Sequence, residues 1–253
     1  MSVAANLGPL PARSVVLSLL LGSHPDRMSP AQVRRAGEHF GIPASTLRVA
    51  LTRAVAAGDL RREHPSTGSG EPAYYVLGER LVARQRRQDE AVEDAETAWD
   101  GTWEMAVVVV SGRSSSERAA LRDKLAAARL AELREGVWTR PANLRRAPAY
   151  ADDPVLACFE ARHDGDPVQL ARELWDLRGW AAAGRTLLRR LARTTTPAPR
   201  LAVAAHLVRH LTADPLLPRD LLPADWPGAE LRAAYADYQA ELRALGVSPP
   251  VVE

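Results

Sequence analysis

Residues 29–58 read SPAQVRRAGEHFGIPASTLRVALTRAVAAG, and residues 59–77 continue DLRREHPSTGSGEPAYYVL. Ser29 caps a helix, Pro30 suits its first turn, and Gln32 completes a capping box. Gly41, just after Phe40, ends that helix. A third helix starts between Pro43 and Ser45 and runs to Ala57, where Gly58 stops it. Leu47, Ala50, Leu51, Ala54 and Val55 recur at helical spacing and form one apolar face. Thr46, Arg48, Val49, Thr52 and Arg53 fall on the opposite face. Leu60 to His64, a turn at Thr67-Gly68-Ser69-Gly70, and Ala73 to Leu77 then read as strand, tip and strand. A short helix at 14–22 precedes them, so apolar that it implies burial on all sides. Three helices and a hairpin in this order make a winged helix-turn-helix.

Outward from that stretch, residues 79–98 are charged and free of internal Gly and Pro, and read as a connecting helix. Leu81, Val82, Val92 and Trp99 touch other parts of the chain, while Arg84, Arg86 and Arg87 make a solvated face. Trp103 to Val110 reads as an apolar strand in a sheet buried on both faces. A helix at 115–128 turns Leu121 and Leu125 inward. Glu132 to Thr139 and Val155 to Arg162 read as a second and a third strand, and Asp166-Pro167 opens a helix through Leu170, Leu174 and Leu177. This order suggests a small ferredoxin-like α/β domain. Beyond it come a helix at 180–193, a break at Thr194 to Pro199, a helix from Leu201 to Thr212, a Pro-rich segment from Asp214 to Gly228, and a last amphipathic helix from Ala229 to Leu245. The fold class is α+β: a winged helix at 1–78, a connector at 79–100, a ferredoxin-like domain at 101–178 and a helical domain at 179–253.

The 253 residues are 46% hydrophobic, enough to bury real cores, and the formal charge of +2 does not by itself point to a polyanion partner. The basic charge is nearly all arginine, Lys124 being the one lysine. A single cysteine, Cys158, excludes an intrachain disulfide framework, and its apolar neighbours read as core. The longest apolar stretch, Val15 to Leu21, falls far short of the ~20 residues of a membrane span, and no cleavage site follows it, so the expected location is the cytoplasm. No enzyme motif is present: no phosphate-binding loop ending in Lys-Ser/Thr, no His-Glu-x-x-His, no Gly-x-Ser-x-Gly. His163 with Asp164 and Asp166 reads as a polar loop. His206 and His210 share a helix face without a further ligand. No metal or cofactor is expected.

Charge is unevenly placed. Residues 43–62 hold Arg48, Arg53, Arg61 and Arg62 against Asp59, four against one and a local +3. Ser45, Thr46, Arg48, Val49, Thr52 and Arg53 are the residue types of a helix read into a major groove: arginine forks to guanine, hydroxyls to phosphate or base, and apolar atoms to the thymine methyl. Arg61, Arg62 and His64 flank the wing, where phosphates or a minor groove lie. These residues imply double-stranded DNA as the partner. Doubling by symmetry implies a homodimer. For its contact, Leu231, Tyr235, Tyr238 and Leu242 are candidates, with burial in the monomer core the equal alternative. Trp175 and Trp180, with Arg178, Arg185 and Arg189, are candidates for an acidic effector carrying an apolar group.

Four motifs remain: Trp99-Asp100-Gly101-Thr102-Trp103, Gly136-Val137-Trp138-Thr139-Arg140-Pro141-Ala142-Asn143-Leu144, Leu174-Trp175-Asp176-Leu177, and Leu221-Leu222-Pro223-Ala224-Asp225-Trp226-Pro227-Gly228. Read bottom-up, they are rigid proline turns anchored by large aromatics. In this order they resemble the phenylacetic-acid degradation repressor (PaaX) family of transcriptional regulators along nearly the whole chain. The resemblance implies a homodimeric regulator, often a repressor, released in its best-known branch by an aryl-acetyl coenzyme A thioester. An acyl or aryl coenzyme A thioester is thus the expected effector. The resemblance also likens the middle domain to the small metal-dependent nucleases of CRISPR adaptation, which carry an acidic ligand at the end of their first strand. Here that end reads Val108-Val109-Val110-Ser111-Gly112, which argues against nuclease chemistry. Gly184 stands where the family often has an aromatic, a departure that bears on the aryl group. A winged helix that binds protein rather than DNA is the remaining alternative.

Overall fold

The computed structural model describes residues 10–64, 73–93 and 96–248. The expected tip turn at Thr67-Gly68-Ser69-Gly70 lies outside them. In chain order the elements are α1 (Ala12–Leu21), β1 (Arg27–Met28), α2 (Pro30–His39), α3 (Ala44–Ala56), β2 (Leu60–Glu63), β3 (Tyr74–Leu77), α4 (Glu79–Val92), β4 (Thr102–Val108), α5 (Ser115–Ala127), β5 (Ala131–Arg134), β6 (Val137–Pro141), β7 (Leu156–Arg162), α6 (Pro167–Leu174), α7 (Leu177–Arg193), α8 (Pro197–Leu211) and α9 (Gly228–Ala244). They gather into two compact units. The first takes Met1–Val92, Ala183–Thr212 and Pro227–Glu253; the second takes Glu93–Ala182 and Ala213–Trp226. The four consecutive segments read from the sequence divide the chain along its length, whereas the first unit joins its two ends. Among the described residues, no helix is long and apolar enough to cross a membrane.

The reason for that union is α1. Val15, Val16, Leu19, Leu20 and Leu21 are all buried, too many for one side of a ten-residue helix. It packs on α3 and α4 within the winged helix and also on α8. At its end, Gln239 Nε2 of α9 donates to the Gly22 carbonyl at 2.8 Å, and the buried hydroxyls of Ser23 and Ser248 lie 2.7 Å apart. Leu231, Tyr235, Tyr238 and Leu242, the stripe considered for a dimer contact, are buried within this unit. Burial pushes the Tyr235 hydroxyl up to about 12. Gly184 has a packing reason as well: a Cβ there would come within 2.9 Å of Leu231 Cδ1 and 3.2 Å of Pro227, so an aromatic has no room.

The winged helix forms as its punctuation demands. Ser29 and Gln32 make the reciprocal capping box, and Gly41 and Gly58 take the left-handed backbone that ends α2 and α3. β1, β3 and β2 form an antiparallel sheet in that order. Asp59, 3% exposed, ties these pieces together. Its N–H donates to Ala54 at the end of α3, and its carbonyl accepts from Gly78 at 2.7 Å, where β3 passes into α4. Its carboxylate accepts from Arg13 of α1 and from Arg80 of α4, the latter at 3.0 Å. A side chain at position 78 would run into the Gly58 carbonyl, so two backbones meet here directly.

The connecting helix is shorter than expected, ending at Val92 rather than near 98. Glu96 bridges to Leu144 and the Thr97 N–H donates to the Asn143 carbonyl, so tertiary pairing overrides local helix propensity. In the second unit the sheet order is β5-β6-β4-β7 with every pair antiparallel, the ferredoxin-like arrangement. The stretch 132–139 is two strands rather than one. Arg134 faces Val137 across Glu135 and Gly136, and Gly136 takes φ +76°, the turn that reverses the chain. The sheet is not buried on both faces throughout. Ala106, Trp138 and Leu156 pack on α5 with Tyr150, and Trp103 packs with Ala171, Leu177, Leu217 and Leu221, while Phe159 is 57% exposed. Cys158 is exposed, not core, because β7 is an edge strand on which only Leu156 is buried. The helix opened by Asp166 stops at Leu174. Trp175 is extended, and the Asp176 carboxylate accepts the Gly179 N–H at 2.9 Å at the start of α7.

The tryptophan and proline motifs find their physical reason in the second unit. Arg140 is fully buried and donates to the Pro141 carbonyl at 3.0 Å, to Asn143 Oδ1 at 2.9 Å and to the Leu216 carbonyl at 3.1 Å. Asn143 Nδ2 donates to the same Leu216 carbonyl at 3.0 Å. Leu216 is held at φ +50°, a left-handed conformation unusual for leucine, with its N–H on the Asp214 carboxylate. Desolvation pulls the Arg140 guanidinium down to about 10, the Glu104 charge opposing.

Two stability outcomes follow. Arg13→Ala with Arg80→Ala strands a buried carboxylate and is expected to cost about 3–5 kcal/mol. Asp59→Asn leaves two exposed arginines in water and costs about 1–3 kcal/mol. Urea denaturation of the three proteins reads the ranking, and a costlier Asp59→Asn would contradict this account of the junction. Arg140→Lys is expected to lose about 1–3 kcal/mol, since an ammonium cannot reproduce the planar fork. Unchanged stability in the same assay would show that the fork is dispensable.

Candidate nucleic-acid interface

Within the first unit, α3 is split as its sequence implies. Leu47, Leu51 and Ala54 are buried. Ser45, Thr46, Arg48, Thr52 and Arg53 are exposed, and Val49 is 49% exposed although apolar. Pro43 precedes the helix without a side-chain cap, so the first-turn N–H groups are open to a ligand acceptor. The Thr52 hydroxyl is turned back, donating to the Arg48 carbonyl at 3.0 Å. Among the described residues, Arg48 and Arg53 have no ion pair, so both forks are available for a base edge or a phosphate.

The hairpin beside it carries a second set. Arg61, Arg62 and His64 are exposed. Arg61 and Arg62 are neighbours in a strand and therefore point to opposite faces of the sheet. Arg61 lies 3.7 Å from Glu63, which shares its face. Arg62 donates to the Tyr75 hydroxyl at 3.2 Å and lies over that ring at 5.4 Å. Sequence reasoning missed the tyrosines and Arg27, which sits over the Tyr74 ring at 5.1 Å. Alternation along β3 sets Tyr74 and Tyr75 on opposite faces, and their arginine partners come from β1 and β2. Asp59 was counted only as a negative charge, although it fixes both the end of α3 and the start of β2.

The residues assigned to an effector are not gathered within one unit. Trp175 and Trp180 belong to the second. Trp175 packs against the Trp103 cluster, and Trp180 stacks on Trp226 with centroids 4.2 Å apart and planes at 12°. Arg178 is exposed in the same unit, while Arg185 and Arg189 fall in the first, Arg189 donating to Thr186 at 3.0 Å. Asp166 caps α6 through the Val168 N–H at 2.8 Å, and His206 Nδ1 lies 2.9 Å from the Ala202 carbonyl. Among the described residues, no group of three or more His, Cys, Asp or Glu side chains is placed to hold a metal.

Three family models match the chain in succession: "PaaX-like protein" over residues 11–81, "PaaX protein central Cas2-like domain" over 96–166, and "PaaX-like protein C-terminal domain" over 175–248. Among curated proteins, none matches. Among solved structures, the chain is similar to "Uncharacterized protein Rv0674 from Mycobacterium tuberculosis", with 47% sequence identity and a TM-score of 0.77 over 93% of this chain and 97% of that one. Matches in this order, together with a relative of that identity and coverage, establish that the chain belongs to the PaaX family.

Proposed function

We propose that the protein is a transcriptional regulator that binds double-stranded DNA in a sequence-specific manner, acting as a repressor released by a small acidic effector such as an acyl or aryl coenzyme A thioester. One observation carries the DNA reading: α3 exposes Ser45, Thr46, Arg48, Val49, Thr52 and Arg53 together on the face opposite its buried leucines. A major-groove helix needs that mixture of forks, hydroxyls and an apolar atom. The wing arginines add affinity through phosphate. A homodimer on a two-fold-related site, working in the cytoplasm, completes the reading. The effector class rests on the family resemblance and on Trp175, Arg178, Trp180, Arg185 and Arg189.

The deciding experiment is a mobility-shift titration of the full chain on the DNA upstream of its own coding region. A specific shift that competitor DNA does not remove supports the regulator. Absence of any shift, with a protein captured by the same surface, would favour the interaction module.

Arg48→Ala is expected to cost about 1–3 kcal/mol of binding if it reads a base, and to relax specificity at one position; Arg53→Ala tests the next turn. Wild-type affinity and specificity in both folded variants would misplace the reading face. For the wing, each lost phosphate contact lowers the salt slope by roughly 0.9. Because Arg61 and Arg62 point to opposite faces, their single alanine variants are expected to differ in slope. A double variant with the wild-type slope would remove the wing from the interface.

A further inference from the structure

α4 presents Arg84, Arg87 and Gln88 on one face, at the spacing of a single helical turn. Within the same unit, Val208, Arg209 and Thr212 from the end of α8 face them across an open groove of about 440 Å³. Three guanidinium groups therefore converge on one concave surface. Among the described residues none of the three has a carboxylate partner, and the charges felt by Arg84 are those of Arg209 and Arg87. Desolvation, then those two like charges, pull Arg84 below its ordinary value. Such mutual repulsion costs stability unless an anion relieves it. At the floor, Gln88 is buried and its Oε1 accepts no hydrogen bond from the described residues. Arg84, Gln88 and Val208 also line a small cavity of about 30 Å³ whose walls include Leu19, Tyr235 and Tyr238.

We propose that this groove is a binding site for a phosphoryl group of a small molecule, held by Arg84, Arg87 and Arg209. Guanidinium forks match phosphate oxygens in pairs, and three of them exceed what a single carboxylate can use. Gln88 Oε1 is an acceptor for a hydroxyl or N–H beside the phosphate. The inner cavity has room for about one or two water molecules and not for a ring, so the body of the ligand lies in the open groove. A DNA phosphate would meet the same charges. The concave shape, the contribution from α8 and the buried acceptor at the floor favour a small anion instead. Position gives the site a consequence: Arg84 is one helical turn from Arg80, whose guanidinium holds Asp59 at the end of α3. Occupancy therefore bears on the element that carries the reading helix. That regulatory step rests on the DNA-binding reading above; the anion site itself does not.

The test is calorimetric titration of the full chain with inorganic pyrophosphate and, separately, with free coenzyme A. Saturable binding of at least one is expected, weakened about tenfold or more by Arg87→Ala with Arg209→Ala; Arg185→Ala with Arg189→Ala on α7 tests the competing placement of the anion on the arginines assigned to the effector. Arg87→Gln repeats the measurement should the double variant fail to fold. The site is overturned if neither probe binds the wild-type chain, if binding survives loss of Arg87 and Arg209, or if only the α7 pair matters. Failure of both probes together with a lower salt slope for DNA in the double variant would make the cluster a DNA contact. Operator affinity with and without the bound probe reads the regulatory step. A wild-type chain that takes up the anion but never shifts DNA would sink the regulator and leave the site standing.

Discussion

A buried carboxylate organises the winged helix. Asp59 uses all of its hydrogen-bonding groups at once: its N–H closes α3, its carbonyl receives the turn into α4, and its carboxylate clamps arginines from α1 and α4. A lone anion at that depth would be costly. Its cost is offset by two guanidinium groups that stay largely in water, so the charge is neutralised without burying more of it. Gly58 and Gly78 make the clamp geometrically accessible, the first by its left-handed backbone and the second by having no side chain where two backbones touch. The direction of the α3 surface is inherited from this junction.

The second unit depends on a similar device with the sign reversed. Arg140 is a buried cation whose Nε and Nη2 donate to two carbonyls and an amide oxygen. It joins the central sheet to the segment around Leu216, whose left-handed backbone turns a carbonyl toward both Arg140 and Asn143. A fork that spans two acceptors at fixed angles specifies one arrangement of those segments more sharply than apolar packing could. The conspicuous Trp-x-x-Pro-x-Asn run is thus accounted for by architecture, and it places no chemistry at the surface.

Local signals were legible wherever one residue's backbone preference decides the structure. The Ser29–Gln32 box, the stops at Gly41 and Gly58, and the two faces of α3 follow from short-range chemistry and appear as read. What the sequence hid was long-range. The Leu231–Leu242 stripe has the same spacing whether it meets a second copy or its own α1, and only the fold shows that it is core. Glu135-Gly136 is a two-residue reversal inside the stretch 132–139, which was read through as one strand. Glu96 and Thr97 were read into the connecting helix, yet pairing with Leu144 and Asn143 draws them out. At the candidate interface the exposed face of α3 could be listed from periodicity. The opposition of Arg61 and Arg62 follows from the two-residue strand period, and the Arg62–Tyr75 and Arg27–Tyr74 pairs required the register of three strands.

The dependence of α1 on α8 and α9 also has a consequence in time. The apolar surface of α1 is synthesised first, and the helices that complete its burial follow about 180 residues later. At roughly 5–20 residues per second, ribosomal synthesis leaves that surface incompletely covered for about ten to forty seconds. The nascent winged helix is therefore a fragment with exposed leucines, exactly the kind of surface that chaperones hold. The core beneath α3 is completed only when the late helices have emerged and closed over the first, so arrest of translation between the two yields a fragment whose winged helix rests on an unfinished core.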